Sequence, residues 1–304
     1  MPSTNPRPTR RAALVLGAGT AVSAALALGA GPAAAAQRSD VTARLRELEQ
    51  QHAARLGVFA RDLRTGRTVV HRADERFPMC STFKALAVAA VLRDLDIDGA
   101  YLAKRIRYTA ELVQKSGNVP ITSKPENLAN GMTVAELSDA ALRFSDNAAA
   151  NLLLTELGGP TAVTRFCRSI GDGTTRLDRW EPELNSAEPG RITDTTTPAA
   201  IGRTYTRLLL GDALDAGDRE RLTAWMLANT TSGERFRAGL PADWRLADKT
   251  GGGDYGTNND VGIAWRPDGT PVLLSVLTTR FTQAAPADNI LVRDTAALLA
   301  AALG

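Results

Sequence analysis

Apolar residues recur at helical spacing from Val41 to Arg55, and two short apolar runs follow, Leu56 to Asp62 and Thr68 to His71. The turn Arg64-Thr65-Gly66 separates those runs, so the pattern predicts helix, strand, strand. From Ser81 to Trp225 the spacing becomes mostly helical, over Thr82 to Leu95, Val134 to Arg143, Ala148 to Leu157, Pro160 to Ile170 and Pro198 to Leu210; a sixth helix is expected from Asp218 to Leu227. Trp244 to Lys249, Asp260 to Arg266 and Val272 to Thr278 then read as strands, and Asn289 to Leu303 as a closing amphipathic helix. Strands at both ends around a helical middle predict an α/β (α+β) fold, with one antiparallel sheet flanked by terminal helices and an inserted all-α lobe. Residues 37–76 and 228–304 are assigned to the α/β lobe and 77–227 to the all-α lobe, with a site expected in the cleft between them.

The first 36 residues stand outside this pattern. Arg10 and Arg11 precede an Ala/Gly/Leu-rich stretch, Ala12 to Ala30, which ends in the small residues Ala33 to Ala36; this reads as a secretory signal cleaved near Ala36. The arginine pair also fits a twin-arginine export signal loosely. No cysteine follows to carry a lipid, and five Gly and Pro residues interrupt a segment marginal for a membrane span, so the mature chain is expected to be secreted without a membrane anchor. Arg7, Arg10 and Arg11 account for the whole formal charge of +3, so the basic balance does not point to nucleic acid.

Residue usage narrows the chemistry. His52 and His71 are the only histidines, and both precede the motifs below, in segments read as helix and strand; neither supports a Ser-His-Asp triad. Two scattered histidines and two distant cysteines, Cys80 and Cys167, give no zinc spacing, so no metal or other cofactor is expected. Cys80 lies in an apolar setting beside Ser81, and the two cysteines are read as buried thiols. A hydrolase built on this chain needs Lys or a carboxylate as base. Only five lysines occur, and two of them, Lys84 and Lys249, sit in the motifs that follow.

Ser81-Thr82-Phe83-Lys84 opens an Ala/Leu-rich helix, which puts the hydroxyl and the amine on one face about one turn apart. An ordinary serine cap with a solvated lysine has the same makeup. Ser145-Asp146-Asn147 lies between two helical segments and is what many helix starts recruit; chemically, a second hydroxyl there relays a proton and the Asn147 amide orients a carbonyl. Lys249-Thr250-Gly251-Gly252-Gly253 ends a strand and reads as entering a glycine-rich turn, with Lys249 and Thr250 suited to a substrate carboxylate. Three motifs in this order make chance matches improbable.

With these motifs the chain resembles the class A serine β-lactamases over essentially its whole mature length, including Phe77 to Lys84, Trp180-Glu181-Pro182-Glu183-Leu184-Asn185, and Leu240-Pro241 through Gly251. The resemblance implies Ser81 as acylating nucleophile, Lys84 and Ser145 in proton transfer, and the backbone N–H groups of Ser81 and Gly252 as oxyanion hole. It implies Glu181 and Asn185 as the pair that holds the deacylating water, and Asn147, Lys249, Thr250, Gly251 and Gly252 as substrate contacts. It further implies an Arg179–Asp194 ion pair closing an Ω-loop and a cis peptide before Pro182. Asn258 stands where many relatives carry a carboxylate-binding arginine, and Arg235 fits the alternative location. The stretch Gln114 to Glu126 is longer than usual and lacks the flanking aromatic. Gly253 stands where some relatives carry a cysteine that pairs with the residue at Cys80. The expected substrates are β-lactam antibiotics, hydrolysed by a monomer; a D-Ala-D-Ala peptidase or a β-lactam sensor without turnover is the alternative, disfavoured by Glu181 and Asn185.

Overall fold

The computed structural model describes residues 32–304, with side chains described from residue 40. The expected leader lies outside the described residues except for its last few positions, which fall in the first helix. That helix, α1 (Pro32–Gln51), is followed by strands β1 (Arg55–Asp62), β2 (Thr68–His71) and the two-residue β3 (Phe77–Pro78). A single 3-10 turn, Cys80–Thr82, leads into α2 (Phe83–Leu95). Next come β4 (Arg105–Ile106), α3 (Ala110–Ser116), α4 (Pro125–Asn130), β5 (Met132–Thr133), α5 (Val134–Arg143), α6 (Asn147–Glu156) and α7 (Thr161–Ser169). A long loop crosses to β6 (Thr195–Thr196), α8 (Pro198–Leu209), α9 (Ala216–Leu227) and α10 (Phe236–Gly239). The chain closes with β7 (Arg245–Gly253), β8 (Thr257–Trp265), β9 (Pro271–Thr279) and α11 (Asn289–Leu303).

The five long strands form one antiparallel sheet in the order β2-β1-β9-β8-β7, so the N-terminal hairpin docks on β9. One face of the sheet packs on α1 and α11 through Leu45, Leu56, Val276 and Leu299. The other face meets the helices, through Phe59, Ile201, Leu273 and Tyr205. Helix α2 runs through the middle of that second core. Its Ala/Leu composition favours helix, and every residue from Phe83 to Leu92 is buried, so that apart from Lys84 it is apolar all round. Around it, α5 starts on a capping box between Thr133 and Glu136, and α6 on the Asp146 carboxylate, which accepts Ala149 N–H at 2.9 Å. Among the described residues no helix is long and apolar enough to cross a membrane.

Two expectations need correction, and the stretch Gln114 to Glu126 holds elements that periodicity did not reach: the end of α3 and the start of α4, helices too short for such an argument. The first helix stops at Gln51 instead of Arg55, because Arg55 already pairs with Thr279 across the sheet. Gly251 to Gly253 do not form a turn. They continue β7, paired with Asn259, Asn258 and Thr257, and the turn follows at Asp254 to Gly256. Glycine is required there by close approach: a Cβ on Gly251 would sit 2.9 Å from the Met79 carbonyl oxygen.

Gly262 shows the same constraint inside the sheet, where it faces Asp248 across the ladder and a Cβ would lie 2.4 Å from the Ala247 carbonyl oxygen. Gly262→Ala is therefore expected to destabilise the protein by about 1–3 kcal/mol, the cost of overpacking a rigid site. Urea denaturation checks this; an unchanged midpoint would show that β7 and β8 separate freely.

Candidate active site

The Ser81 segment is held from two sides. Asn259 on β8 donates to the Pro78 and Met79 carbonyls at 2.9 and 3.3 Å, and Tyr205 on α8 donates to the Thr82 carbonyl at 2.7 Å. Cys80 takes a positive φ of 44°, an uncommon conformation for a side-chain-bearing residue, which the surrounding contacts over-determine. Ser81 is 7% exposed at the start of the turn that becomes α2, and its hydroxyl donates to Glu181 Oε1 at 3.3 Å.

Lys84 is fully buried on α2. Its Nζ donates to the Ser145 carbonyl at 2.8 Å and Asn147 Oδ1 at 2.7 Å, and lies 3.1 Å from Glu181 Oε1. Burial pulls the Lys84 ammonium below its ordinary range, while the Glu181 charge acts in the opposite direction. Three close acceptors, with the Ser145 hydroxyl as a longer fourth, surround an amine that has three donors when charged, an arrangement that suits an ammonium.

Ser145 also adopts a positive φ, 56°, which turns its carbonyl toward Lys84. Its hydroxyl lies 3.0 Å from Lys249 Nζ and 3.4 Å from Lys84 Nζ, so it bridges two lysines from different motifs. Lys249 is fully buried in β7, and burial followed by repulsion from Lys84 holds its ammonium well below the usual range. Asp146 does more than cap α6, since it also accepts Ile121 N–H at 3.0 Å and Thr122 N–H at 2.9 Å, fixing the segment before α4 to the site.

Glu181 lies on the loop between α7 and β6. Its backbone is held by the Asn151 side chain, which accepts from Glu181 N–H at 3.0 Å and donates to its carbonyl at 2.9 Å; the peptide to Pro182 is cis. Asn185 Nδ2 donates to Glu181 Oε2. The loop ends are joined by Arg179 Nε and Asp194 Oδ2 at 2.6 Å. A cleft of about 640 Å³ between α3, α6 and this loop includes Glu181 but not Ser81, Lys84, Ser145 or Lys249.

Arg235 sits under the end of β7, where Nη1 donates to the Gly251 and Asn259 carbonyls at 3.1 and 2.9 Å and Nε to Asn289 Oδ1 at 3.1 Å. Among the described residues it has no ion-pair partner, which leaves a cation beside Thr250 and Gly251. Asn258 is buried and donates to Asn289 as well, at 3.0 Å. The two histidines lie apart from this cluster, His52 against Asp288 and His71 against Glu49. Both cysteines are buried free thiols, and burial pushes both thiols far up, so neither is ionised. A Cβ on Gly253 would lie 2.9 Å from Cys80 Sγ. Among the described residues no cluster of His, Cys, Asp and Glu is placed to hold a metal ion.

Four contributors were not anticipated. Asn151 was legible: it stands four residues after Asn147, and so on the same face, between apolar residues on both sides. Thr231, whose hydroxyl lies 2.5 Å from that of Thr250, gives no sequence signal. Asp248 and Asp260, both fully buried on neighbouring strands, read in sequence as polar strand ends.

Comparison with known proteins gives the family. The sequence profile described as "Beta-lactamase enzyme family" matches residues 40–303. A protein named "Beta-lactamase" from Streptomyces fradiae is 68% identical over 304 residues, covering 100% of this chain and 99% of the relative. The solved structure of the β-lactamase from Streptomyces albus G is 62% identical, covers 87% of this chain and 100% of its own, and superposes with a TM-score of 0.87. A mutant of the last common ancestor of Gram-negative bacteria class A β-lactamase is 50% identical, covers 86% of this chain and 98% of its own, and gives a TM-score of 0.82. The chain belongs to the class A β-lactamase family.

The carboxyl pair yields a pH prediction. Burial pushes Asp260 well above the carboxylate range, Asp248 beside it adds to the shift, and burial raises Asp248 too. One proton shared between the two carboxyls accounts for both directions, and Asn229 Nδ2 donates to Asp248 Oδ2 at 2.9 Å. A folded pKa above the unfolded value of about 3.9 means that folding binds a proton here, so this pair's contribution to stability is full at low pH and falls as pH rises, by roughly 1 kcal/mol per unit, until the folded pKa is passed. Asp260→Asn keeps one donor for Asp248 and one acceptor for Phe236 N–H, and is expected to remove that slope. Urea midpoints from pH 5 to 8 test it, and equal slopes for variant and wild type would refute the shared proton.

Proposed function

We propose that this enzyme hydrolyses the β-lactam amide of penicillins and cephalosporins through an acyl-enzyme on Ser81, and so confers resistance to them. The Ser81 oxygen attacks the lactam carbonyl as its proton passes to Glu181, the C–N bond breaks, and the ring nitrogen takes a proton from the Ser145 hydroxyl, which lies between Lys84 and Lys249. Lys84, 3.4 Å from Ser145 Oγ and 3.1 Å from Glu181, returns a proton to Ser145 and takes up the one Glu181 received, so that Glu181 is again a carboxylate for the second step. Lys249, Thr250 and Arg235 supply the cation and hydroxyl for the substrate carboxylate, and Asn147 orients the acyl amide. The N–H groups of Ser81 and Gly252 stabilise the oxyanion.

The observation that carries this reading is the position of Glu181. Its carboxylate reaches Ser81, Lys84 and Asn185 at once. The Ser81 proton is already directed at Glu181 Oε1, whereas every donor of Lys84 is spent on an acceptor; this favours Glu181 over Lys84 as the acylation base. Water held by Glu181 and Asn185 then attacks the ester and frees Ser81. Turnover of a chromogenic cephalosporin is expected to vanish in Ser81→Ala. In Glu181→Gln it is expected to fall by about 10²- to 10⁴-fold, the usual worth of a general base. Mass spectrometry should find the acyl adduct on Ser81 of the Glu181 variant, and full turnover by Ser81→Ala would overturn the mechanism.

The charge pattern and apolar stretch before residue 37 support export of the enzyme, acting as a monomer outside the cell. An intact mass of the protein recovered from culture medium should lack the leader; recovery of the full-length chain only inside cells would count against export.

A further inference from the structure

A second cavity, of about 500 Å³, opens between the exit of the loop that carries Glu181 and the edge of the sheet, and contains no motif residue. Four arginines from separate segments line it: Arg55, Arg76, Arg191 and Arg280. Among the described residues Glu188 is the only acid in its wall.

Three acids serve these arginines, and each is shared with another basic group. Glu75 holds Arg55 at 2.9 Å and also Arg72 at 3.0 Å. Asp288 holds Arg280 at 2.6 Å and also His52 at 2.8 Å. Glu188 holds Arg191 and lies 3.6 Å from Arg179. Among the described residues Arg76 has no acid partner: only its Nη1 is engaged, by the Thr174 carbonyl and the Thr195 hydroxyl, at 3.2 and 3.1 Å. Positive charge therefore exceeds negative charge around this cavity, and a guanidinium edge is left to offer.

The same cavity exposes apolar surface. Ile192 and Phe281 are 55% and 68% exposed and both line it, although residues of this size are normally covered in part. Two wall residues, Ala187 and Tyr255, hold positive φ values of 50° and 56°, conformations that packing must enforce on residues with side chains. Glu188 beside Ala187 is further tied by Ser186 Oγ at 2.6 Å, so the wall is shaped in advance of any ligand.

We infer that this cavity binds a small organic anion, a phosphate or carboxylate head carried on an apolar body, with Arg76 and Arg191 on the head and Ile192 and Phe281 against the body. The site is separate from the hydrolytic centre, and the inference does not depend on the proposed reaction.

Phenyl phosphate is a suitable probe, followed by methyl NMR of Ile192 in the full enzyme. A saturable shift of the Ile192 signal is expected with a Kd of about 1 mM, in keeping with a ligand of this size. Arg76→Gln should weaken binding by about tenfold, the value of one charge-assisted hydrogen bond. Phe281→Ala should weaken it by roughly threefold or more through lost apolar contact. Both variants should keep the wild-type melting temperature and cephalosporin turnover. The inference fails if the Ile192 signal does not respond, if neither variant alters the response, or if perturbations are confined to the Ser81 and Lys249 segments. It also fails if inorganic phosphate binds as tightly as phenyl phosphate, since the apolar half would then contribute nothing. Wild-type binding with both variants weakened supports it, and benzoate in place of phenyl phosphate distinguishes a carboxylate site from one selective for phosphate.

Discussion

The constraint on which the rest of the structure depends is the burial of the Lys84 ammonium inside the helical core. A charge without solvent is costly unless it is paired and every donor is met. Here the acceptors come from three parts of the chain: Ser145, Asn147 and Glu181. None reaches Lys84 by default. The Ser145 carbonyl is aimed inward by a left-handed backbone, Asn147 by the start of α6, and Glu181 by a loop whose own backbone is bound to Asn151. A fold that failed in any of these would leave a buried cation uncompensated. The requirements of stability and of the site therefore coincide at this residue.

Lys249 extends the same logic across the cleft. It is also fully buried, yet its acceptors are only the Ser145 hydroxyl and the Thr250 carbonyl among the described residues, so it keeps less compensation than Lys84. Behind it, Asp248 and Asp260 carry negative charge limited by a shared proton, and Arg235 adds a further positive charge held by carbonyls alone. The balance at the β7 end of the cleft is thus positive. Under the proposed reaction, the substrate carboxylate is the group that balances this charge.

Much of this was legible in the chain because the signals were local. The helices Val134–Arg143 and Asn289–Leu303 carry whole amphipathic faces, and their bounds follow from periodicity. The motif residues were legible because their types are costly to bury and appear in a fixed order. What escaped notice depends on partners distant in sequence. Gly251 to Gly253 looked like a turn because glycine marks turns more often than it marks the close passage of another chain segment. Asp260 stood out only as the first residue of a strand, because nothing local announces that Asp248 comes close from the neighbouring strand. Thr231 meets Thr250 only because α9 returns the chain to β7. These are consequences of tertiary approach, which a pattern of residue types does not encode.

Asn185 shows how tightly such approaches bind the site together. Its side chain donates to Glu181, its carbonyl accepts Asp254 N–H at 2.9 Å, and that same carbonyl oxygen lies 2.5 Å from where a Cβ on Gly253 would stand. The loop that carries Glu181 is therefore seated directly on the end of β7, with no room for a methyl group between them. In this chain a side chain at 253 would have to displace the loop that carries Glu181, although the two residues are far apart in sequence. Since the Ser81 segment also packs under Gly251, the strand end acts as a common base for the Ser81 hydroxyl and for the carboxylate above it. The spacing between those two groups is set by glycine backbone, which has little freedom to vary once both are seated.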